Sequence, residues 1–331
     1  MANAASPAEI SVELVPVSKS PHLGKMAWRS VLAVQVCMAA MAILGTHLTG
    51  LTVVWSGALP VLGVIGFAIA AWAYLVNSRP NEIERRVAEA LLALGLLLIL
   101  GLTAPLCQYV ALRLDRPLID PWLSHVDALT GLSVKASAAW LQLHPKVNQV
   151  LALAYVSLLF QFALIVPLLA GIGRTDRLHE YLFHFHVCSL ITVVCLALWP
   201  AAGVFQYEQF TATLPESRFI RHFGLLRAGT PPPLVFGEME GMVSLPSFHF
   251  AGAWMITWAL RLTSFFWPVF MLNALLTLGT FATGAHYVTD GFGTVAMGLA
   301  SLALWRRVQR SALAAAPAEI NVSRVALPRA R

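Results

Sequence analysis

The chain has 331 residues, 58% hydrophobic and only 11% charged, against about a quarter charged in an average soluble domain. That balance excludes an ordinary soluble fold and asks for lipid as the solvent. Apolar stretches of about eighteen residues or more recur, each long enough to cross ~30 Å of hydrocarbon as a helix. The net charge of +6 comes from basic residues scattered through loops and tails, without a dense basic run or stacking platform, which excludes nucleic acid as a partner.

Residues 1–26 are polar, proline-bearing and aperiodic, lack the order of a signal peptide, and are predicted to form a flexible cytoplasmic tail. Eight spans are predicted at about 30–48, 58–76, 87–112, 149–172, 182–203, 246–261, 265–283 and 287–305. The expected fold class is therefore all-α, a polytopic transmembrane helical bundle. The first three spans fill residues 27–113, a second unit covers 114–307, and 308–331 form a second cytoplasmic tail. Cys37, Cys107, Cys188 and Cys195 all fall in apolar segments without metal-type spacing and read as small buried hydrophobes.

Basic residues orient these spans. Lys19, Lys25 and Arg29, then Arg79, Arg85 and Arg86, then Arg174 and Arg177, then Arg261, and finally Arg306, Arg307 and Arg310 share one side if both termini are cytoplasmic. The stretch from Asp120 to Gln149 is too polar to cross. It suits an amphipathic segment at the outer interface, with Trp122 and Trp140 at headgroup depth. Asp115, Asp120 and Asp127 read as solvated or capping groups, and His179, His184 and His186 as residues of the cytoplasmic interface.

Two polar clusters interrupt the apolar pattern near the C-terminal end: "SLPSFHF" at 244–250 and "GAHYVTDGFG" at 284–293. With a short inner turn at Arg261 joining spans six and seven, both clusters reach the outer face together. His286 and Asp290 are four apart on a predicted helix and so within reach of each other. A carboxylate on one ring nitrogen fixes the tautomer and raises the basicity of the other, which suits a nucleophile or base. His249 is then the candidate general acid. Pro246 fits the first turn of a helix, where Ser247 and free N–H groups can face an anion. A lone interfacial histidine is ordinarily just solvated, and an HxxxD pair is also half of a metal site. Two histidines and one aspartate with no further ligand leave a metal short of donors, and three converging ionisable groups within spans point to function.

These residues resemble the type 2 phosphatidic acid phosphatase superfamily. Its second motif, PSGH, is matched by Pro246-Ser247-Phe248-His249. Its third, SRxxxxxHxxxD, is matched by Gly279-Thr280, five residues, His286 and Asp290. "SLPSFHFA" and "GAHYVTDGFG" look more specifically like the branch of inositol phosphorylceramide synthases and related bacterial membrane phosphatases. "DALTGL", "HPKVNQVLALAYVSLLFQ" and "LWPAAG" extend that likeness over about 120–305. The resemblance implies metal-independent phosphoryl transfer through a phosphohistidine, with His286 as nucleophile, Asp290 as its orienter, His249 as acid and no cofactor.

The sequence departs from the superfamily pattern at both of its usual cations. Thr280 stands where the third-motif arginine belongs, and the first motif, KxxxxxxRP, does not occur. The phosphate clamp is therefore expected in "ESRFIRHFGLLRAG", which holds Arg218, Arg221, His222 and Arg227. Arg227 is the first choice and Arg221 the second, because a guanidinium fork matches phosphate oxygens. Glu238 and Glu240 read as part of a rigid loop bordering the pocket. The leading expectation is a lipid phosphatase acting at the extracytoplasmic leaflet of a bacterial inner membrane, on a lipid phosphate or diphosphate. The alternatives are a lipid phosphotransferase onto a lipid alcohol, and a non-enzymatic transporter or scaffold.

Overall fold

A computed structural model describes residues 21–210, 217–284 and 286–315. Residues 1–20 and 316–331, most of the two expected tails, lie outside the described residues. Twelve helices account for most of the described chain: α1 (Pro21–Leu48), α2 (Leu59–Asn77), α3 (Glu82–Leu112), α4 (Asp120–Thr130), α5 (Val134–Leu143), α6 (Pro145–Gly171), α7 (Thr175–Leu198), α8 (Val204–Tyr207), α9 (Ser217–Arg227), α10 (Phe248–Ala259), α11 (Phe266–Ala282) and α12 (Val288–Ala315). Two short parallel strands, β1 (Val53–Val54) and β2 (Leu234–Val235), pair Val53 with Leu234. Helix α1 reaches back over 21–26 and α12 runs on over 308–315, so both helices extend into stretches whose composition reads as tail.

Among the described residues, six segments are long and apolar enough to cross a bilayer: His22–Leu48, Trp55–Asn77, Glu82–Leu112, Pro145–Gly171, Thr175–Leu198 and Val288–Ala315. The protein is thus an α-helical integral membrane protein. The other two expected spans form α10 and α11, of 12 and 17 residues. At 1.5 Å per residue these reach only about 18 and 25 Å. Ser247 caps α10 inside the apolar run, and Leu262, at φ 62°, lies in the turn that joins α10 to α11.

Local chemistry explains the element edges. Asn81 and Glu84 form a reciprocal capping box at the start of α3, before its apolar run begins. Pro105 and Pro167 sit inside α3 and α6 without ending either helix. Helix α7 is the centre of the bundle, with Leu178, Tyr181, Leu182 and Cys188 in the main apolar cluster.

Near the start of α7, buried Glu180 accepts from Arg261 at 2.7 and 2.8 Å and from the Trp258 indole at 3.0 Å, which pins the α10–α11 turn to α7. His184 and His186, expected at the cytoplasmic interface, are instead buried. They bond to Ser301 Oγ and to the Leu182 carbonyl because α7 is surrounded on all sides. Asp120 and Asp127 are likewise buried, which removes the solvated alternative for them and leaves the capping one.

Candidate active site

The first histidine is set by the start of α10. Ser247 is its N-cap, accepting from the Phe250 N–H at 3.4 Å, so His249 falls in the first turn. Pro246 lies one residue before this cap, after a cis Leu245–Pro246 bond, and not in the first turn of the helix as its sequence context suggests. One turn further on, a Cβ on Gly252 would meet Phe162 Cζ at 2.7 Å. The missing side chain lets α10 lie close against α6. That approach brings Tyr155 of α6 to His249, with its hydroxyl 3.1 Å from Nδ1 and the two rings stacked 4.1 Å apart.

The second histidine is set by the turn between α11 and α12. Gly284, at φ +95°, reverses the chain in a conformation that suits glycine. His286 precedes α12 and is not part of it, so the pair does not share a helix face as the spacing suggests. Asp290 is the third residue of α12 and folds back over the turn. Its Oδ2 lies 3.0 Å from His286 Nδ1 and accepts the Tyr287 N–H at 3.0 Å and the Ser244 hydroxyl at 2.7 Å. The reach back to the residue preceding the helix is half of a capping box. His286 Nδ1 also lies 3.1 Å from the Ser244 carbonyl. A carbonyl can only accept, so Nδ1 carries a proton, and in the neutral ring the lone pair is therefore on Nε2.

His249 and His286 face each other with ring centroids 6.2 Å apart. Both line a cavity of about 150 Å³, together with Tyr155, Gln108, Ser244 and the Phe219 ring of α9. Gly241 and Val243 of the loop after β2 also line it, whereas Glu238 and Glu240, expected to border the pocket, are not among the lining residues. That loop is tied to α3, where the Glu240 N–H donates to the Tyr109 hydroxyl and the Met242 N–H to Gln108 Oε1. The Gln108 amide orientation follows from that bond, which leaves its N–H₂ end as the donor for the cavity. An unprotonated imidazole nitrogen, a second imidazole opposite it and neutral donors around them suit nucleophilic attack on an electrophile with proton transfer to its leaving group.

The other predicted phosphate ligands lie elsewhere. Ser247 is fully buried as the α10 cap. Arg227 spans the Asp115 carboxylate at 3.0 Å and the Arg116 carbonyl at 3.0 Å, and Arg221 is exposed on α9. Neither is among the residues lining the cavity, and none of the described lining residues is an arginine or lysine. Residues 211–216 and the Arg218 side chain lie outside the described residues. Thr280 is fully buried, and its hydroxyl donates to the Leu276 carbonyl.

Sequence reasoning passed over Tyr155, Gln108 and Ser244. Ser244 stood inside the quoted motif, and Tyr155 was a polar aromatic within a span. Gln108 carried no signal. Asp120 and Asp127 of α4 also approach the site. Burial pushes the Asp120 carboxyl above its ordinary range, opposed by hydrogen bonds from the Ala202 N–H, the Tyr287 hydroxyl and the Gly203 N–H.

No curated protein and no solved structure matches the chain. A family model described as the PAP2 superfamily matches residues 121–304, more than half of the chain, and takes in both histidines and Asp290. Members of that superfamily are phosphatases or phosphotransferases. On that match, the chain belongs to the PAP2 superfamily.

Proposed function

We propose that the protein is a lipid phosphatase that removes phosphate from a lipid phosphate or diphosphate through a phosphohistidine on His286. The observation that supports this reading is the His286 ring. Its Nδ1 is held by Asp290 and the Ser244 carbonyl, and its other nitrogen is left for a cavity shared with His249.

In the proposed step, His286 Nε2 forms a bond to phosphorus as the bond from phosphorus to the lipid oxygen breaks. His249 delivers a proton to that oxygen and becomes neutral. Water then attacks phosphorus and gives its proton to His249, and the P–N bond breaks to release phosphate and restore His286. Asp290 offsets the positive charge that the ring carries while it is phosphorylated. No metal is needed in this scheme, as the superfamily resemblance implies, and excess chelator is expected to leave turnover unchanged.

Arg221 and Arg227 are proposed to meet the substrate at the mouth, since α9 also contributes Phe219 to the cavity wall. Arg227 would exchange its exposed Asp115 partner for a phosphate oxygen. The proposed orientation has both termini cytoplasmic, α10 and α11 completing eight membrane segments, and the cavity opening to the outer side of a bacterial inner membrane. The exposed Trp122 and Trp140 of α4 and α5 support an interfacial position for those helices.

A second reading is transfer of the phospho-headgroup to a lipid alcohol, in which an alcohol replaces water in the second step. It is favoured by the likeness of "SLPSFHFA" and "GAHYVTDGFG" to the inositol phosphorylceramide synthase branch. The test is purified protein with a phosphatidic acid or a prenyl diphosphate, with and without a lipid alcohol. Free phosphate supports the hydrolase. No free phosphate, but a new phospholipid when alcohol is present, replaces it with the transferase. Turnover that survives His286→Ala undiminished would come from something other than this site, which removes both readings and leaves a transporter or scaffold that retains the fold.

A further inference from the structure

Two buried carboxylates lie beside the reacting residues and have no part in the proposed chemistry. Asp120 and Asp127 both belong to α4, and every carboxylate oxygen is met by donors. Asp127 Oδ2 accepts the Val288 N–H at 2.8 Å, and its Oδ1 accepts the Thr289 N–H at 2.8 Å as well as the Thr289 hydroxyl. Asp120 Oδ1 accepts the Tyr287 hydroxyl at 2.9 Å and the Gly203 N–H at 3.0 Å, while its Oδ2 accepts the Ala202 N–H at 2.8 Å. Such satisfaction is what permits a carboxylate to stay buried.

The residues held in this way, Tyr287, Val288 and Thr289, are the three between His286 and Asp290. Gly203, held by the other carboxylate, lines the same cavity. We propose that Asp120 and Asp127 are positioning residues, a two-point clamp on α4 that keeps the 287–289 turn in register and so sets the contact between His286 Nδ1 and Asp290 Oδ2.

The need for such a clamp follows from helix physics. The first N–H groups of α12 have no intrahelical partner, and a carboxylate near them is attracted by both hydrogen bonding and the helix dipole. Asp290, in the first turn, is the carboxylate on α12 best placed to be drawn to them. Asp127 occupies the Val288 and Thr289 N–H groups from outside, which leaves Asp290 to His286, Ser244 and the Tyr287 N–H. Asp120 secures the other end by its bond to the Tyr287 hydroxyl, and the same carboxylate joins the turn to the 202–203 wall of the cavity. A cap alone would call for one carboxylate on α12. The second grips the side chain of the residue before the helix.

The clamp's effect on turnover rests on reading His286 as the nucleophile, but its effect on the His286 ring does not. The deciding measurement is the tautomer of His286 and the resonance of its Nδ1–H, read by NMR of histidine-labelled protein in lipid nanodiscs, with the signal identified by its loss in His286→Gln. The titratable groups around this ring are Asp290, bonded to it, and His249, whose own partner is Tyr155. Asp127→Asn and Tyr287→Phe are each expected to move the His286 Nδ1–H proton resonance upfield, since a longer contact to Asp290 Oδ2 deshields that proton less. Tyr287→Phe changes no charge at neutral pH, so its shift reports position. In turnover, both are expected to lower kcat about tenfold to a hundredfold with KM nearly constant.

An unchanged His286 Nδ1–H resonance in variants that elute as folded protein overturns the clamp, whatever the activity. A shifted resonance supports it even if wild-type protein forms no phosphoenzyme, in which case the phosphohistidine reading alone falls. If Asp127→Asn does not fold, Tyr287→Phe, which removes one hydroxyl, decides the matter.

Discussion

The hydroxyl of Tyr155 lies 3.1 Å from Nδ1 of His249, and the two rings stack 4.1 Å apart. One contact fixes the plane of the imidazole and the other fixes which nitrogen is committed to the protein. His249 is thereby left with Nε2 for the cavity, the geometry a proton donor needs before any substrate arrives. Stacking and hydrogen bonding come from the same side chain, so they can be separated by removing the oxygen alone. Tyr155→Phe is expected to keep the stack, lower kcat about tenfold, and move the limb of the pH–rate profile that reports the acid. An unchanged profile would show that Tyr155 merely fills space beside His249.

A general acid matters in proportion to the leaving group's need for a proton. His249→Gln should therefore slow release of an alkyl alcohol from a lipid phosphate by about a hundredfold or more. The same variant should lose far less with a nitrophenyl phosphate, whose leaving group departs without protonation. Comparing the two substrates on one preparation supplies the check. Equal losses on both would mean that His249 binds phosphate and does not protonate the departing oxygen.

The Asp290 carboxylate is fully buried, with three donors on Oδ2, and its Oδ1 has no hydrogen-bond partner among the described residues. Asp290→Asn keeps the shape but removes the charge that offsets a phosphorylated imidazole. The expected fall in the rate of phosphoenzyme formation is about a thousandfold, by analogy with other buried carboxylate–histidine pairs. Rapid-quench measurement with labelled substrate tests this. A burst as fast as that of the wild-type protein would remove Asp290 from the chemistry.

Much of this was legible in the chain. Hydropathy marked the membrane class, and the four-residue spacing of His286 and Asp290 marked their partnership. Physical reasons account for what was not. A hydropathy window cannot see that the Ser247 cap and the Leu262 turn cut two apolar runs into α10 and α11. The spacing argument gave the right pair by the wrong geometry, because a capping turn brings positions four apart together much as a helix does. Tyr155 meets His249, and Asp127 meets Thr289, across long stretches of sequence, and such contacts leave no local signature. The basic cluster on α9 drew attention as a phosphate clamp, yet Arg227 pairs with Asp115, a partner that periodicity could not supply.

Thr280 offers a sharper test of where phosphate is held. It occupies the third-motif position where the superfamily pattern has an arginine, so Thr280→Arg would restore that pattern. The site is fully enclosed, and its hydroxyl returns to the Leu276 carbonyl. At the neighbouring Gly279, even a Cβ would come within 3.0 Å of the Leu151 carbonyl oxygen of α6, a backbone atom that cannot swing aside. Helices α6 and α11 are thus packed too closely here to admit a guanidinium without moving apart, and burying its charge unpaired costs several kcal/mol. Thr280→Arg is expected to lower the thermal unfolding midpoint in detergent and to reduce turnover through loss of folded protein, without tightening phosphate binding. A variant that stays as stable as the wild type and binds inorganic phosphate more tightly would show that α11 can open toward the cavity. In that case position 280 faces the phosphate, and the natural chain, with threonine there, still needs a cation from elsewhere.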